Sequence, residues 1–242
     1  MAESSPMRVT IHQPQFLPWL GYLDKIDQAD LFIALDTVQF KKNEWQNRNR
    51  IRTADGCQWI TVPVIHRFGQ LVKDVRINQT VNWRAQHLRA LEIHYAKAPF
   101  RERYLPELRN IYEAPWERLH DVNLAVIRWL LGAFGITTPV RCASEWEARE
   151  EPTDRLIDLC RAVGASVYLS GPGGDDYLDV PQFESSGLKL EMQRFQHPLY
   201  QQVYEPFMPA MSAIDLLCCC GPEALTRLRE ARAGQNVHAV TK

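Results

Sequence analysis

The sequence predicts an α/β fold in which a mainly parallel sheet is flanked by helices. Strand-like and helix-like segments alternate over residues 140–242, and two apolar strand-like segments near the start each lead into polar residues. Hydrophobic residues make up 45% and charged residues 24% of the 242 residues, which is typical of a globular protein. Because loops that follow parallel strands build the sites of such folds, we expect functional residues after His12, Asp36 and Ser170.

The first part of the chain predicts four strands and one short helix. Residues 8–12 (RVTIH) form the first strand, and two prolines, Pro14 and Pro18, prevent it from continuing. Residues 19–27 have helical spacing, with apolar side chains on one face. The apolar segment at 31–40 is typical of a buried strand. Two further strands are expected at 58–64 and 74–78.

Three helical segments follow, and strands then alternate with helices. The third helix has a wide apolar face and is expected to stop at Gly135, since glycine is favoured just beyond helix ends. The predicted helices lie at 82–95, 101–112, 121–134, 154–163, 177–184 and from 212 onward. The predicted strands lie at 140–144, 166–170 and 189–195. The simplest account is a single α/β domain over residues 1–242, with a helical insertion near 82–135.

The overall charge restricts the class of partner. The chain has 28 Lys and Arg against 29 Asp and Glu, a net charge of −1, which excludes a broadly basic nucleic-acid coat. We therefore expect a small-molecule substrate and no duplex nucleic acid. No apolar run approaches the ~18 residues that a membrane span needs, and no apolar signal region follows the start of the chain. The expected location is the cytoplasm, with no membrane span.

The cysteines indicate neither a disulfide framework nor a metal site. There are six, three of them consecutive, with no Cys-x-x-Cys pair and no cysteine near a histidine at zinc-finger spacing. This pattern favours reduced thiols, and the sequence predicts no metal ligands. The cysteines are Cys57, Cys142, Cys160, Cys218, Cys219 and Cys220.

The first segment that could carry chemistry begins at the end of the first strand. His12 lies where its imidazole could face a cleft and act as an acid or base, although a histidine bonded to a backbone carbonyl is equally compatible. The neighbouring Gln13, Gln15 and Trp19 favour a site, because amides and an indole suit a sugar or a nucleotide.

The second segment is basic and covers residues 41–52, with a net charge of +4. Alternation of Arg48, Arg50 and Arg52 along an extended segment would place three guanidinium groups on one side, and asparagines add neutral donors. A clamp for phosphate or another anion and a solvated charged face are both compatible with this pattern. The end of a tRNA also remains compatible with it.

The third segment follows the strand at 166–170. A glycine-rich loop between a strand and a helix start is typical of an anion-binding nest, although Pro172 removes one donor and Asp175 and Asp176 would repel a phosphate. The acids could instead cap the helix, hold a metal or orient a sugar hydroxyl. Neither a Gly-x-Gly-x-x-Gly fingerprint nor a P-loop is present. Tyr200 and Gln201 follow a later strand and could close the same cleft or form a capped turn.

These segments resemble the WbqC-like family. The resemblance covers residues 8–222 and is carried by HQPQFLPWLGY at 12–22, NRNRI at 47–51, YLSG at 168–171 and YQ at 200–201. It implies a bacterial protein encoded near genes for O-antigen and other surface polysaccharides, and hence a cytoplasmic role in making or decorating a sugar precursor.

A weaker resemblance links the loop after the first strand to the nucleotidylyltransferase and pantothenate-synthetase superfamily, whose fold is called HUP-like. Its opening motif places two histidines around a glycine. Here Tyr22 stands where the second histidine would be, and the spacing is one residue short. The histidines of that motif therefore do not carry over.

The leading functional hypothesis is a transferase that adds an acyl or aminoacyl group to an amine, such as an amino sugar, during glycan or secondary-metabolite assembly. His12 would be the general base, and Arg48 and Arg50 would hold a phosphate of a phosphorylated or nucleotide-linked substrate. One alternative is an ATP-using ligase or nucleotidyltransferase, with ATP as its cofactor. Another is a non-catalytic scaffold of a glycan-assembly complex. The predicted substrate-binding residues are Gln13, Gln15, Trp19, Tyr22, Asp36, Lys42, Asn47, Arg48, Asn49, Arg50, Ser170, Gly171, Asp176, Tyr177, Tyr200 and Gln201.

Overall fold

The computed structural model describes the backbone of residues 6–174 and 178–239, and the side chains within these ranges up to residue 233. This part of the chain contains nine strands. In chain order they are β1 (Arg8–His12), β2 (Leu31–Ala34), β3 (Arg48–Thr53), β4 (Gly56–Thr61), β5 (Val64–Ile65), β6 (Arg76–Ile77), β7 (Val140–Cys142), β8 (Val167–Ser170) and β9 (Lys189–Met192).

Eight α-helices lie between and after the strands in the same described ranges. They are α1 (Leu20–Asp27), α2 (Trp83–His94), α3 (Arg101–Glu113), α4 (Leu119–Phe134), α5 (Pro152–Ala162), α6 (Val180–Ser185), α7 (Ile214–Cys220) and α8 (Ala224–Ala239). The two longest, α4 and α8, have 16 residues each. None of the described helices combines the length and the apolar composition needed to cross a membrane.

The central sheet has five strands in the order β7-β2-β1-β8-β9, and every neighbouring pair is parallel. The predicted α/β fold with a mainly parallel sheet is therefore confirmed. The chain runs from β1 outward through β2 to β7 on one side, then returns to β8 and β9 on the other. This strand order creates a switch point between β1 and β8, and ligands of doubly wound sheets bind there, beyond the carboxyl ends of the strands.

Helices cover both faces of this sheet because successive side chains of its strands point in opposite directions. In β2, Leu31 and Ile33 belong to an apolar cluster that also contains residues of α5 and α6. Phe32 and Ala34 belong to a second, larger cluster that contains α1, α4 and α7. The helices α2, α3 and α4 occupy the predicted insertion, and α4 ends at Gly135, whose φ of 79° is left-handed. The single-domain organisation of the whole chain stays a prediction.

The segment predicted as one strand at 31–40 is shorter in the structure. Leu35 still donates its backbone N–H to the His12 carbonyl, as a continuing strand would. At Asp36 the chain turns, because its N–H bonds back to the Ala34 carbonyl and its carboxylate accepts two hydrogen bonds from Ser144. A side chain that binds a neighbouring loop thus ends a strand whose apolar composition alone would have continued it.

The predicted strand at 58–64 does not join the central sheet. Its first part belongs to an antiparallel hairpin of β3 and β4, in which Arg48 pairs with Thr61. Its last part lies in β5, which pairs antiparallel with β6. Between them, Val62 donates its N–H to the Asn47 carbonyl, and Pro63 has no N–H to donate.

Candidate functional site

A cleft of about 400 Å³ opens at the switch point, beside the carboxyl ends of β1 and β8. We call it the switch-point cleft. A smaller cavity of about 220 Å³ adjoins it and shares His12, Gln15 and Trp45 with it. The switch-point cleft is lined by His12, Gln15, Trp19, Gly21, Tyr22, Lys25, Trp45, Gly171, Pro172, Gly173, Gln193 and Ala210.

The loop between β1 and α1 forms one wall of the cleft, and two fully buried asparagines hold it. Asn123 of α4 donates its amide N–H groups to the carbonyls of Pro14 (3.0 Å) and Gln46 (2.8 Å). Asn49 of β3 donates to the Leu17 carbonyl at 2.7 Å. Leu17 has a φ of 43°, which non-glycine residues adopt only when their surroundings enforce it. The loop is therefore held by side chains from two distant elements.

His12 ends β1 and presents a neutral imidazole to the cleft. Its Nδ1 lies 3.1 Å from the Gln13 carbonyl oxygen, which can only accept, so Nδ1 carries the proton and Nε2 the lone pair. Within residues 6–174 and 178–233, no protein atom is hydrogen-bonded to Nε2. Burial and the nearby Lys25 ammonium lower the pKa of His12 to about 3. Tyr22 packs edge-on at 5.2 Å and donates to the same carbonyl.

Lys25 is a cleft residue that the sequence analysis missed. Its side chain is 3% exposed, and its ammonium is so close to Gly171 that a Cβ added there would lie 3.5 Å from Nζ. No described residue forms an ion pair or a hydrogen bond with it. Burial lowers the pKa of Lys25 to about 7. The available signal was spacing, because Lys25 follows Gly21 by four positions and Tyr22 by three, so all three share one face of α1.

The helix that carries Lys25 is fixed to the last helix by ion pairs. Arg232 of α8 contacts both Asp24 and Asp27 of α1, at 2.6 and 2.8 Å. Arg229 binds Asp27 through two nitrogens. The Asp24 carboxylate, which is 1% exposed, also accepts a hydrogen bond from Gln193 at 2.6 Å. Asp24 is thus fully occupied and does not neutralise Lys25.

Trp19 packs directly over Gly21 on another wall of the cleft. A Cβ on Gly21 would lie 2.3 Å from the Trp19 ring, so only glycine allows this approach. The ring of Phe195 meets Trp19 edge-on at 5.1 Å. The glycine of the LGY segment is therefore a packing requirement of the cleft wall.

Neither of the two predicted clamp arginines lines the cleft, but Arg50 lies at its rim, where it contacts two lining residues. The Arg48 guanidinium stacks 4.2 Å above the Trp59 ring. Arg50 lies 5.8 Å from the ring centre of Trp45, a lining residue, and donates to the carbonyl of Ala210, another lining residue. A guanidinium that stacks on an indole keeps N–H groups at its edge for anions.

The two asparagines that alternate with these arginines are structural. Asn49 holds the loop after β1, and the Asn47 amide binds the Val62 carbonyl at 3.0 Å. Arg52, the third arginine of the predicted alternation, is instead buried and donates to four backbone carbonyls, including that of Pro206. Lys42 is exposed and does not line the switch-point cleft. Within the basic segment, Asn47, Asn49 and Arg52 therefore bind the chain itself, whereas Lys42 faces solvent.

After β8, Gly171 lines the switch-point cleft, and the Ser170 hydroxyl donates to the Gly171 carbonyl. The predicted residues Asp176 and Tyr177 lie outside the described residues. The helix expected at 177–184 begins at Val180, where the Asp179 side chain caps it. This helix therefore starts three residues later than the predicted start at 177.

Tyr200 and Gln201 do not line the switch-point cleft. The Tyr200 hydroxyl donates to the buried carboxylate of Asp215 at 2.6 Å, and Tyr95 donates to the other oxygen of that carboxylate. Gln201 lines a separate cavity of about 720 Å³ near Cys219. Of the predicted residues, the cleft and its adjoining cavity bring together His12, Gln13, Gln15, Trp19, Tyr22 and Gly171.

Asp36 lies apart from the cleft, in a cluster that no sequence motif indicated. The cluster consists of the Asp36 carboxylate, the His120 imidazole and the Cys142 thiol. Each group has one potential ligand atom within 4.8 Å of those of the other two. Large separations along the chain hide this cluster, since Asp36 follows β2, Cys142 ends β7 and His120 lies in the first turn of α4.

The comparisons with known proteins identify the family of the chain. The model of the WbqC-like protein family matches residues 13–227. A protein of Mycobacterium tuberculosis (strain ATCC 25618 / H37Rv), described as uncharacterized protein Rv1507c, is 35% identical over 229 residues, covering 93% of this chain and 99% of that protein. No solved structure matches the chain significantly. The family match covers most of the chain, including His12's neighbours and the basic hairpin, and the chain belongs to the WbqC-like protein family.

Proposed function

We propose that the protein is a cytoplasmic transferase of bacterial glycan or secondary-metabolite biosynthesis, which moves an acyl or aminoacyl group to an amine such as an amino sugar. The observation that carries this proposal is the pairing of two groups in one cleft. His12 supplies an imidazole with an unoccupied lone pair, and Lys25 supplies a buried amine with no carboxylate partner among the described residues. Acyl transfer to an amine is promoted by a base that takes the proton of the amine and by a nearby cation that binds negative charge on the donor.

In the proposed reaction the amine nitrogen of the acceptor attacks the carbonyl carbon of the donor. A nitrogen–carbon bond forms, the bond from that carbon to the leaving group breaks, and the leaving group departs with the electron pair. His12 takes the proton that the amine loses, through Nε2. Lys25 interacts with negative charge that the donor carries or develops.

Lys25 also couples donor binding to the base strength of His12. Burial is the main cause of the low pKa of His12, and the Lys25 ammonium lowers that pKa further. An anionic donor paired with Lys25 cancels this second effect, so the pKa of His12 rises once the donor is bound. The base therefore becomes stronger in the complex than in the free protein.

The size and rim of the cleft support a small phosphorylated or nucleotide-linked substrate. A volume of about 400 Å³ suits a sugar-sized ligand. Arg50 contacts the lining residues Trp45 and Ala210, and Arg48 precedes it by two positions in β3, so we expect both guanidinium groups to bind a phosphate that extends out of the cleft. The flexible end of a tRNA carrying an aminoacyl group is also compatible with this rim, whereas a duplex is not expected to enter the cleft.

The test is a transfer assay with purified protein, amino sugars and activated acyl or aminoacyl donors, with products identified by mass spectrometry. His12→Ala is expected to reduce the rate by at least ~100-fold, since general-base catalysis contributes roughly 10²–10⁴-fold. His94→Ala removes a half-buried histidine outside the cleft and is expected to retain activity. Full activity of His12→Ala would eliminate the assigned base.

One observation favours a second candidate, an ATP-using ligase or nucleotidyltransferase. The strand order creates the kind of switch point at which doubly wound sheets bind nucleotides. This candidate predicts that ATP raises the melting temperature and that the protein catalyses exchange between ATP and pyrophosphate. Transfer from a preformed activated donor without ATP, with no effect of ATP on melting, would reject it.

A further inference from the structure

We propose that Asp36, His120 and Cys142 bind a divalent transition-metal ion, with Zn²⁺ as the best match to the three ligand types. The Cys142 sulfur and one carboxylate oxygen of Asp36 each lie 3.9 Å from Nε2 of His120. All three ligand atoms lie within 4.8 Å of one another. Carboxylate, imidazole and thiolate are each common zinc ligands, and three protein ligands are typical of a site with an open position.

The geometry argues against a cysteine nucleophile activated by a histidine and an aspartate. In that arrangement the cysteine and the aspartate use opposite nitrogens of the ring, because the aspartate orients the base that the cysteine contacts. Here both partners approach Nε2, while Nδ1 of His120 is buried without a hydrogen-bond partner. Convergence of sulfur, oxygen and nitrogen on one point is the geometry of ligands around an ion.

The distances fit such an ion after a small contraction. Zinc bonds of about 2.0–2.3 Å at tetrahedral angles place ligand atoms about 3.3–3.6 Å apart. Two of the three separations, at 3.9 Å, are within a few tenths of an ångström of this range.

The charge of the cluster also calls for a cation. Asp36 is 1% exposed, and its carboxylate accepts hydrogen bonds from the backbone N–H and the hydroxyl of Ser144, at 2.9 and 2.7 Å. Within the described ranges, neither lysine nor arginine forms an ion pair with it. A buried carboxylate without a cation is unfavourable, and a divalent ion would compensate both the carboxylate and a bound thiolate.

Ser144 has the position expected of a group that orients a metal ligand. By donating to both carboxylate oxygens it fixes the rotamer of Asp36 toward His120 and Cys142. Partners of this kind tune metal affinity although they do not touch the ion. The cluster lies at the same sheet edge as the switch-point cleft, where His12 pairs with Ala34 two residues before Asp36. The inference is independent of the proposed transfer reaction.

The test is titration of the metal-free full-length protein with Co²⁺ and Zn²⁺. We expect one ion per chain and a near-ultraviolet thiolate-to-cobalt absorption, which Zn²⁺ displaces. Cys142→Ser is expected to abolish this absorption and to weaken Zn²⁺ binding at least ~100-fold. Cys57→Ser, which changes an exposed cysteine of β4, is expected to change neither. Ser144→Ala is expected to keep the absorption and to weaken binding roughly 10- to 100-fold.

Three results would overturn the site. The first is failure of the wild-type chain to bind either ion in stoichiometric amount. The second is a cobalt absorption that survives Cys142→Ser and disappears when Cys219 or Cys220 is changed. That result would place the ion on the consecutive cysteines of α7. The third is an unchanged Zn²⁺ affinity in Ser144→Ala. This variant tests the site even if Cys142→Ser fails to fold.

Discussion

The side-chain amide of Asn49 donates a 2.7 Å hydrogen bond to the carbonyl oxygen of Leu17, and both residues are fully buried. This bond joins the hairpin of β3 and β4 to the loop that shapes the switch-point cleft. It acts where Leu17 adopts a left-handed conformation. The position of the cleft wall thus depends on a residue that never enters the cleft.

Asn49→Ala is expected to destabilise the fold by roughly 1–3 kcal/mol, because it leaves buried carbonyls of the loop without a donor. Chemical denaturation measures this change. Asn49→Asp is expected to cost more, since it buries a carboxylate against the same carbonyls. A variant that loses ligand binding at unchanged stability would instead assign Asn49 to the substrate.

Lys25→Met is expected to change how stability depends on pH. The pKa of Lys25 is near 7 in the folded state and near 10.5 when unfolded, so the unfolded chain binds more protons between these values. Wild-type stability therefore rises through this window on account of Lys25, and it carries the full penalty below pH 7. The variant is expected to be more stable than wild type at pH 6, by on the order of 4 kcal/mol, and to lose this advantage toward pH 10.

The groups facing Lys25 leave this prediction intact. His12 is neutral throughout the window because its pKa is about 3, and burial raises the pKa of Tyr22 well above it. Asp24 faces Arg232 and Gln193. Denaturation curves at several pH values give the comparison. Parallel stability profiles of the two proteins between pH 7 and 10 would contradict a buried, unpaired Lys25.

Gly21→Ala is expected to displace Trp19 from the cleft wall, because the new methyl group would lie 2.3 Å from the indole ring. Overpacking of this kind costs roughly 1–3 kcal/mol. A shift in tryptophan fluorescence and a lower denaturation midpoint report the change. The control is Gly132→Ala in α4, where a Cβ meets no atom within 4 Å and helix propensity favours alanine. Equal stabilities of the two variants would argue against the packing.

Arg232→Met is expected to destabilise the fold by roughly 2–4 kcal/mol, because it leaves the buried carboxylate of Asp24 without its cation. Arg227→Met is the matched control, since its partner Glu223 is largely exposed and such pairs contribute under about 1 kcal/mol. Thermal or chemical denaturation separates the two. Similar losses in both variants would mean that α8 does not hold α1 through these ion pairs.

The strand and helix pattern was predictable where local signals agreed. The two prolines after His12 and the glycine at 135 mark ends that the structure reproduces in β1 and α4. The hairpin of β3 and β4 was missed because the strand prediction for 58–64 carried no information about its partner. The early end of β2 was missed because the turn depends on a bond from Asp36 to Ser144, over a hundred residues away.

The candidate site was predictable only in part, for a similar reason. His12, Gln15, Trp19 and Tyr22 are close in sequence and line one cleft. Asparagines beside arginines suggested substrate contacts, but a side-chain amide serves a ligand and a buried backbone carbonyl equally well. Lys25 was missed because a lysine in an amphipathic helix is usually solvated, and here almost the whole of α1 is buried.

The proposed base depends on a neutral imidazole at His12, which nuclear magnetic resonance of the histidine ring nitrogens detects. From pH 5 to 8, we expect the His12 signals of a neutral ring protonated on Nδ1, because its pKa is about 3. We also expect Lys25→Met to raise this pKa, since the ammonium contributes to lowering it. Protonation of His12 near pH 6.5 would contradict the buried, neutral imidazole beside Lys25, and a ring protonated on Nε2 would contradict the assignment of that nitrogen as the base.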